Sequence, residues 1–380
     1  MNPEQWLSLK WNGGSTMSDR WLNQSKIIQL EEKNKSYYHI EIERDRLFGG
    51  NSSEKCYKEC YEFIKRHFEE GKKGAVMDVF FRNDKENKEL FLHSIRTTHT
   101  VSLYLLGLSM HEIFEDELKN YLKKFIKNLK KWYDFRYTWF LTCLYHDIVS
   151  CEEAAKHNLG DLKEGLEYTI YNHILTNGEN YQPYFTQELI NNYWKYRKHR
   201  DHGIGAGYYF FNSLCNNFYE KTKGKLTALE EKTIDGLSWR REHLDHFAYI
   251  ADAIICHNIW YVDEEKRIEE YKENNLNKLI INSKEDRERL KQNPLYFMLC
   301  LLDTIEPTKR FEGLDIEYVL KNIFIERIGK KIIRIKWNKE FQKENKEKFN
   351  VWKTNIQDLE KWLGVTVKEL DNMMDIKILS

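Results

Sequence analysis

The chain has 380 residues, of which 60 are lysine or arginine and 60 are aspartate or glutamate, so its formal net charge at pH 7 is zero. This balance gives no overall positive potential of the kind that promotes binding to nucleic acids or anionic membranes, although it leaves room for a local basic groove. The first residues lack the pattern of a signal peptide, and no apolar run approaches the roughly 20 residues that span a bilayer, so we expect a cytoplasmic protein without a membrane partner.

Length and composition favour a large, mostly helical globular protein. A chain of this size buries a substantial core, as one large domain with extensions or as two domains. Tyrosine, phenylalanine and tryptophan occur 23, 20 and 11 times, whereas proline occurs only four times, so few residues interrupt helices. We predict an N-terminal extension over residues 1–53, a helical domain over 54–315 and a mixed α/β appendage over 316–380.

The predicted elements are helices until the last 60 residues. An amphipathic helix covers 54–71, and from about 89 to 311 the apolar pattern is helical almost throughout. The clearest segments are 89–113, 115–131, 134–156, 185–197, 202–217, 226–234, 240–261 and 294–310. In the tail, β-branched residues around Gly329 predict a hairpin over 323–337. A charged helix over 339–362 follows, and then a short helix and a strand over 363–380.

His146 and Asp147 form the most informative pair in the chain. They stand at the end of an apolar stretch that begins at Trp139 and continues to Ile148. Burying a carboxylate in such a stretch costs free energy unless it is paired or binds a metal ion. The pair alone is a weak signal, because the chain contains 13 histidines.

Four further positions place a histidine or an aspartate in an apolar helical segment. They are His99, His202, His257 and Asp303. With the His-Asp pair they are spaced by 47, 55, 55 and 46 residues. Such spacing suits one ligand from each of five helices, since helical bundles hold metals with side chains that project inward. Histidine mixed with carboxylate suits Mn, Fe, Zn, Co or Ni better than Mg or Ca.

The order His…His-Asp…His…His…Asp resembles the HD superfamily of metal-dependent phosphohydrolases. The residues that carry the resemblance are Arg96-x-x-His99-Thr100, Leu144-Tyr-His-Asp-Ile148, Asp201-His-Gly-x-Gly-Ala206, Ala253-Ile-Ile-Cys-His257 and Leu301-Leu-Asp303. They cover about residues 90–310. The resemblance implies an all-α HD-domain helical bundle that hydrolyses phosphoester bonds.

The resemblance also implies a site for two divalent transition metal ions. By position, the ligands are His99, His146, Asp147 and Asp303 for the first ion and Asp147, His202 and His257 for the second. A metal-activated hydroxide would hydrolyse a nucleotide or another small phosphoester. Asp147, as the ligand shared by both ions, would be the catalytic residue.

Two arginines are candidate substrate contacts, because fork-shaped guanidinium groups suit phosphate. Arg96 precedes His99 by one helical turn, and Arg310 follows Asp303 by seven residues. Many members of the superfamily continue His-Asp-Ile with Gly-Lys, where the lysine assists at the phosphate. Here Val149 and Ser150 follow, so Lys156, His157 or an arginine elsewhere would take that role.

Two other functions remain open. A single-strand nuclease, like the HD domain of CRISPR-associated helicases, would use the same ligands, although the neutral charge gives no indication of a nucleic-acid partner. A non-catalytic, metal-stabilised module that senses nucleotides or binds a partner protein is favoured by the missing lysine, whereas the complete ligand set favours an enzyme.

The remaining notable side chains are predicted to be structural. We expect His243 and His246 at the surface rather than at the metal, and the aromatic run 208–211 in the core rather than as a platform for bases. The seven cysteines contain no CxxC pair, which gives a zinc ribbon no support. We expect reduced thiols, most of them buried.

Overall fold

The computed structural model describes residues 53–69, 95–126, 135–148, 181–226, 230–234 and 237–379. These residues form twelve α-helices and six β-strands. The helices are α1 (Ser53–Glu69), α2 (Ile95–Ser109), α3 (His111–Leu122), α4 (Phe135–Tyr145), α5 (Gln187–Tyr196), α6 (His202–Thr222), α7 (Glu242–Cys256), α8 (Glu265–Glu273), α9 (Pro294–Ile305), α10 (Ile316–Asn322), α11 (Lys339–Glu344) and α12 (Lys346–Trp362). The strands are β1 (Glu231–Ile234), β2 (Leu237–Arg240), β3 (Ile323–Gly329), β4 (Ile332–Trp337), β5 (Val365–Leu370) and β6 (Met373–Ile378).

The described residues belong to two compact units. The first unit lies within Glu117–Cys300, and the second unit combines the residues up to Asp116 with those from Leu301 onward. Within the described segments, no helix has the length and apolar character required to cross a membrane.

Helices α6 and α7 form the centre of the first unit. Their backbones approach closely at Gly207, where a β-carbon would lie 2.5 Å from Ile255 Cγ1 and 2.7 Å from the Ala251 carbonyl oxygen. The ring of Phe210 on α6 lies 4.8 Å from that of Tyr145, the last residue of α4. The contacts at Gly207 and Phe210 therefore pack α4, α6 and α7 against one another. The C-terminal ends of α4 and α7 and the N-terminal end of α6 carry the candidate ligands of this unit.

A short segment at residues 181–185 packs on the C-terminal part of α7 through the buried carboxylate of Asp252. Asp252 accepts hydrogen bonds from the Tyr181 hydroxyl and, at 2.8 Å, from the backbone N–H of Tyr184. Burial raises the pKa of Asp252 to about 7, because the apolar surroundings disfavour its charged form. Near neutral pH this carboxyl group is therefore partly protonated, and its hydrogen bonds hold residues 181–185 against α7.

The second unit contains a four-stranded antiparallel sheet in the order β3-β4-β6-β5. Arg334 on β4 faces Asp375 on β6 and makes two hydrogen bonds to its carboxylate, of 2.6 and 2.7 Å. Helix α12 covers the sheet with the buried Trp352, whose ring lies 5.6 Å from those of Phe311 and Phe349. These cross-strand and aromatic contacts hold the C-terminal segment together.

The structure confirms a mostly helical protein with a small mixed C-terminal part. The hairpin predicted over 323–337 is present, and the charged helix over 339–362 is present with a break at Asn345. The helix predicted over 226–234 is wrong, because residues 231–234 form a strand that pairs with β2. The short helix predicted after 363 is also wrong, because Val365 and Val367 alternate with polar residues and favour strand β5. The extension predicted over 1–53 lies outside the described residues except for its last residue.

Candidate metal centre

His146 and Asp147 lie in the turn that directly follows α4. Both side chains are buried. The His146 Nδ1 atom lies 2.8 Å from the carbonyl oxygen of Cys143. A carbonyl oxygen only accepts hydrogen bonds, so Nδ1 is the donor in this contact and Nε2 is the ring atom that can bind a cation. That Nε2 lies 3.6 Å from Asp147 Oδ2, so two electron-rich atoms face each other, an arrangement that a cation or a proton stabilises.

Asp147, His202 and His257 form a group that can hold a metal ion. One donor atom from each of them lies within 4.8 Å of the other two. Within this group His202 Nε2 lies 3.3 Å from Asp147 Oδ1. Ligand atoms that bind one ion at about 2.1 Å are at most about 4.2 Å apart, so the three side chains need only small movements to bind it.

His257 is held in place by the end of α7 and by a glycine on α6. Its Nδ1 donates to the carbonyl oxygen of Ile254 at 2.5 Å, which again leaves Nε2 with the lone pair. A β-carbon at Gly203 would lie 2.9 Å from His257 Cε1. The imidazole therefore packs directly on the backbone of α6, and a larger residue at 203 would displace it.

His202 is the first residue of α6, and its neighbours position it. Asp201 is the N-cap, since its carboxylate accepts from the backbone N–H of Ile204 at 2.9 Å. The Asn258 amide donates to Asp201 at 2.7 Å and lies 3.3 Å from His202 Nδ1. Asp201 thus caps α6, and His202 faces Asp147.

In the second unit, His99 lies between two carboxylates. Its Nε2 is 2.9 Å from Asp303 Oδ1, and its Nδ1 is 2.7 Å from Glu306 Oε2. Burial opposes the charged imidazole, but the hydrogen bonds to Asp303 and Glu306 raise the pKa of His99 to about 9. This carboxylate–histidine–carboxylate order matches the way proteins orient a histidine toward a metal, with the outer carboxylate fixing the ring.

Glu306 accepts several further hydrogen bonds besides its contact with His99. Its carboxylate accepts from Ser102 Oγ at 2.6 Å and from the Thr308 backbone N–H and hydroxyl at 3.1 and 2.9 Å. Burial opposes its ionisation, yet the hydrogen bond from His99 lowers the pKa of Glu306 below its ordinary value. Glu306 therefore stays ionised in the core and fixes the orientation of His99.

The two candidate phosphate contacts differ in their surroundings. Arg310 Nη2 donates to the backbone oxygen of Asp303 at 3.1 Å and to its carboxylate at 3.3 Å. Arg310 thus lies at a candidate ligand, although it stands beyond the end of α9 at Ile305, whereas the sequence predicted a helix over 294–310. Arg96 is partly buried in the first turn of α2.

The predictions from the sequence omitted two residues near the candidate ligands and were wrong about two histidines. Glu306 was not predicted, although its spacing of three residues from Asp303 in an apolar helix is a detectable signal. Asn258 was not predicted, and only its position next to His257 points to it. The surface positions predicted for His243 and His246 are wrong, since both are buried.

His246 has a structural role inside the first unit. Its Nε2 lies 3.0 Å from the Thr138 hydroxyl, and burial lowers the pKa of His246 to about 3. The ring is therefore neutral in the core. The predicted core position of residues 208–211 is confirmed for Tyr208, Phe210 and Phe211, and the six cysteines in the described residues are buried.

No known family model, curated protein or solved structure matches this chain. The resemblance to the HD superfamily is therefore carried by the ligand pattern alone. The donor set of the first unit fits a divalent transition metal, because a carboxylate and two imidazoles converge and the hydrogen bond of His257 Nδ1 leaves its Nε2 as a metal donor.

Proposed function

We propose that this protein is a metal-dependent phosphohydrolase. Asp147, His202 and His257 bind a divalent transition metal ion, and His99 and Asp303 serve as further metal ligands. The convergence of Asp147, His202 and His257 carries the proposal, since their donor atoms lie within 4.8 Å of one another although the residues are about 55 positions apart in the chain. A bound ion would supply Lewis acidity toward a phosphoryl oxygen and toward the attacking water.

Residues of the chain itself would bind and orient the substrate. Asp147 directs Oδ1 to His202 and Oδ2 to His146, so both of its oxygens face imidazoles. Arg310 keeps a partly exposed guanidinium group at Asp303, where it can contact phosphoryl oxygens. A nucleotide or another small phosphoester is the substrate class that this arrangement suits.

The test combines metal analysis with turnover. Purified full-length protein supplied with Mn²⁺ is assayed on aryl phosphates, nucleotides and cyclic nucleotides. We expect bound metal and turnover in the wild type, and Asp147→Asn to lower kcat by at least about 100-fold with loss of metal. Asp263→Asn, at an exposed position, is the matched control and should change neither quantity.

Two results would overturn the proposal. One is a wild type that binds no transition metal, and the other is an Asp147→Asn variant with unchanged turnover. Tight nucleotide binding without hydrolysis of any compound would instead indicate the non-catalytic module.

A further inference from the structure

A basic turn joins α5 to the candidate metal ligand at the start of α6. It consists of Arg197, Lys198, His199 and Arg200, and all four side chains are exposed. Asp201 and His202 follow immediately. Arg197 lies 3.8 Å from the buried Asp201, so part of its charge is compensated there. Lys198 and Arg200 extend the positive charge to the surface beside His202.

The backbone of this basic turn has a defined shape. Lys198 and His199 both have positive φ angles, of 53° and 60°, which residues other than glycine rarely adopt. The turn is closed by hydrogen bonds from the Lys198 N–H to Lys195 and from the His199 N–H to Trp194, both 2.9 Å. Two consecutive left-handed residues cost free energy, and such strain is common at ligand sites.

A large exposed aromatic side chain lies close to this turn. Trp260 is 48% exposed, the largest exposed fraction of any aromatic residue among those described. It is nevertheless fixed at three points. Its indole Nε1 donates to Asn258 at 2.9 Å, its backbone N–H donates to the Tyr193 hydroxyl at 3.2 Å, and its carbonyl oxygen accepts from Tyr271 at 2.9 Å.

Asn258 connects the exposed ring with the turn and with the ligands. Its side-chain oxygen Oδ1 accepts a hydrogen bond from the indole N–H of Trp260. Its side-chain Nδ2 donates to Asp201, the residue between Arg200 and His202. Asn258 also directly follows His257. One hydrogen-bonded network therefore joins a fixed aromatic surface, a basic turn and two candidate metal ligands.

We propose that Trp260 and the basic turn form a nucleotide-binding site next to Asp147, His202 and His257. The base stacks on Trp260, and Lys198 and Arg200 bind the phosphate. A nucleotide combines the aromatic face and the negative charge that these two features recognise, whereas a neutral sugar uses only the ring and inorganic phosphate uses only the charges. The assignment of this ligand as the substrate rests on the proposed phosphohydrolase function, but the binding itself does not.

The experiment measures binding in EDTA, so that no metal and no hydrolysis contribute. The probes are AMP, ribose 5-phosphate and a short fluorescein-labelled oligodeoxyadenylate. We expect Trp260→Ala to weaken the binding of AMP and of the strand on the order of tenfold and to leave ribose 5-phosphate unchanged. We expect the double variant Lys198→Asn/Arg200→Gln to weaken all three, because it removes the phosphate contacts.

Matched variants separate recognition from general effects. Tyr219→Ala removes another exposed aromatic ring, about 26 Å along α6 from His202. Lys223→Asn/Lys225→Gln removes two exposed lysines at the end of that helix, and Lys223 has the same left-handed backbone as Lys198. Neither control should change binding. Unchanged melting temperatures show that the variants are folded.

The outcomes decide between sources of the nucleotide. Stronger binding of the strand, with a steep decrease as salt increases, identifies the end of a single-stranded nucleic acid, whereas stronger binding of AMP identifies a free nucleotide. A wild type that binds neither probe, or a Trp260→Ala variant that binds both as the wild type does, overturns the proposal. Failure of the phosphohydrolase function is separate, because it appears as absent metal or unchanged turnover in Asp147→Asn.

Discussion

At the scale of single residues, oxygen atoms fix the imidazole rings of the candidate ligands in each unit. His146 and His257 each donate from Nδ1 to a backbone carbonyl three residues earlier, and His99 contacts Glu306 through Nδ1. In His146 and His257 this leaves Nε2 as the ring atom that can reach a metal ion, and in His99 Nε2 is the atom that faces Asp303. A backbone carbonyl cannot be changed by mutation, so Glu306 is the orienting group that an experiment can alter.

We predict that Glu306→Gln weakens metal binding on the order of 10–100-fold, because the amide is a poorer acceptor for His99 and presents N–H groups to Ser102 and Thr308. The free energy of unfolding should fall by about 1–3 kcal/mol for the same reason. Co²⁺ titration and urea unfolding measure the two effects.

The control for this prediction is Glu288→Gln. Glu288 is as buried as Glu306, but burial raises the pKa of Glu288 to about 9, so its neutral form already resembles glutamine. The control should unfold at nearly the wild-type urea concentration. Equal Co²⁺ affinity in Glu306→Gln and the wild type would show that Glu306 does not orient a ligand.

The sequence indicates the candidate ligands more readily than the residues that hold them in place. His146 and Asp147 stand out because charged or polar groups in an apolar run are unusual, and the structure buries both as expected. Glu306 and Asn258 act through hydrogen bonds to residues that are distant in sequence or that lie in a turn. No local pattern encodes such partners, so only the folded chain reveals them.

At the scale of elements, the position of His257 depends on the contact between α6 and α7. Gly203 and Gly207 stand one turn apart on α6 and allow its backbone to touch α7. The sequence predicted both helices within a few residues of their observed limits, because their apolar periodicity is strong. It did not predict the β1–β2 hairpin between them, whose strands have only four residues each.

We predict that Gly207→Ala lowers the free energy of unfolding by about 1–3 kcal/mol, since the new methyl group would overlap Ile255 and the Ala251 carbonyl. Gly203→Ala should instead displace the His257 ring and weaken metal binding more than it changes stability. The two variants are compared by urea unfolding and by metal titration.

Gly329→Ala provides the comparison, because nothing lies within 4 Å of the position that its β-carbon would occupy. It should leave metal affinity unchanged. If Gly203→Ala also retained wild-type metal affinity, the contact between this glycine and His257 would have no part in the site.

At the scale of the whole molecule, a chain with zero net charge buries several carboxyl groups that the sequence does not distinguish from surface ones. Asp252 and Glu288 are both nearly inaccessible to solvent, and burial raises the pKa of each. A carboxyl group whose pKa is raised on folding stabilises the folded state below its unfolded pKa, and that contribution is lost as pH rises through the folded pKa.

We predict that the free energy of unfolding of the wild type decreases between about pH 5 and pH 8 because Asp252, whose pKa is about 7, must ionise in the core. Asp252→Asn keeps the acceptor for Tyr181 and Tyr184 but does not ionise, so its decrease over this range should be smaller by on the order of 3 kcal/mol. Urea unfolding at several pH values measures the difference. The exposed Asp263→Asn should follow the wild type, and a parallel curve for Asp252→Asn would mean that Asp252 does not titrate in this range.

Anomalous X-ray scattering shows whether Asp147, His202 and His257 bind a transition metal ion, as we propose. Crystals of the protein grown with Mn²⁺ are measured on both sides of the metal absorption edge. We expect an anomalous peak at about 2.1 Å from Asp147 and from both imidazoles, and no peak in Asp147→Asn. If these three side chains were ordered in the wild type without an anomalous peak, they would not form a metal site.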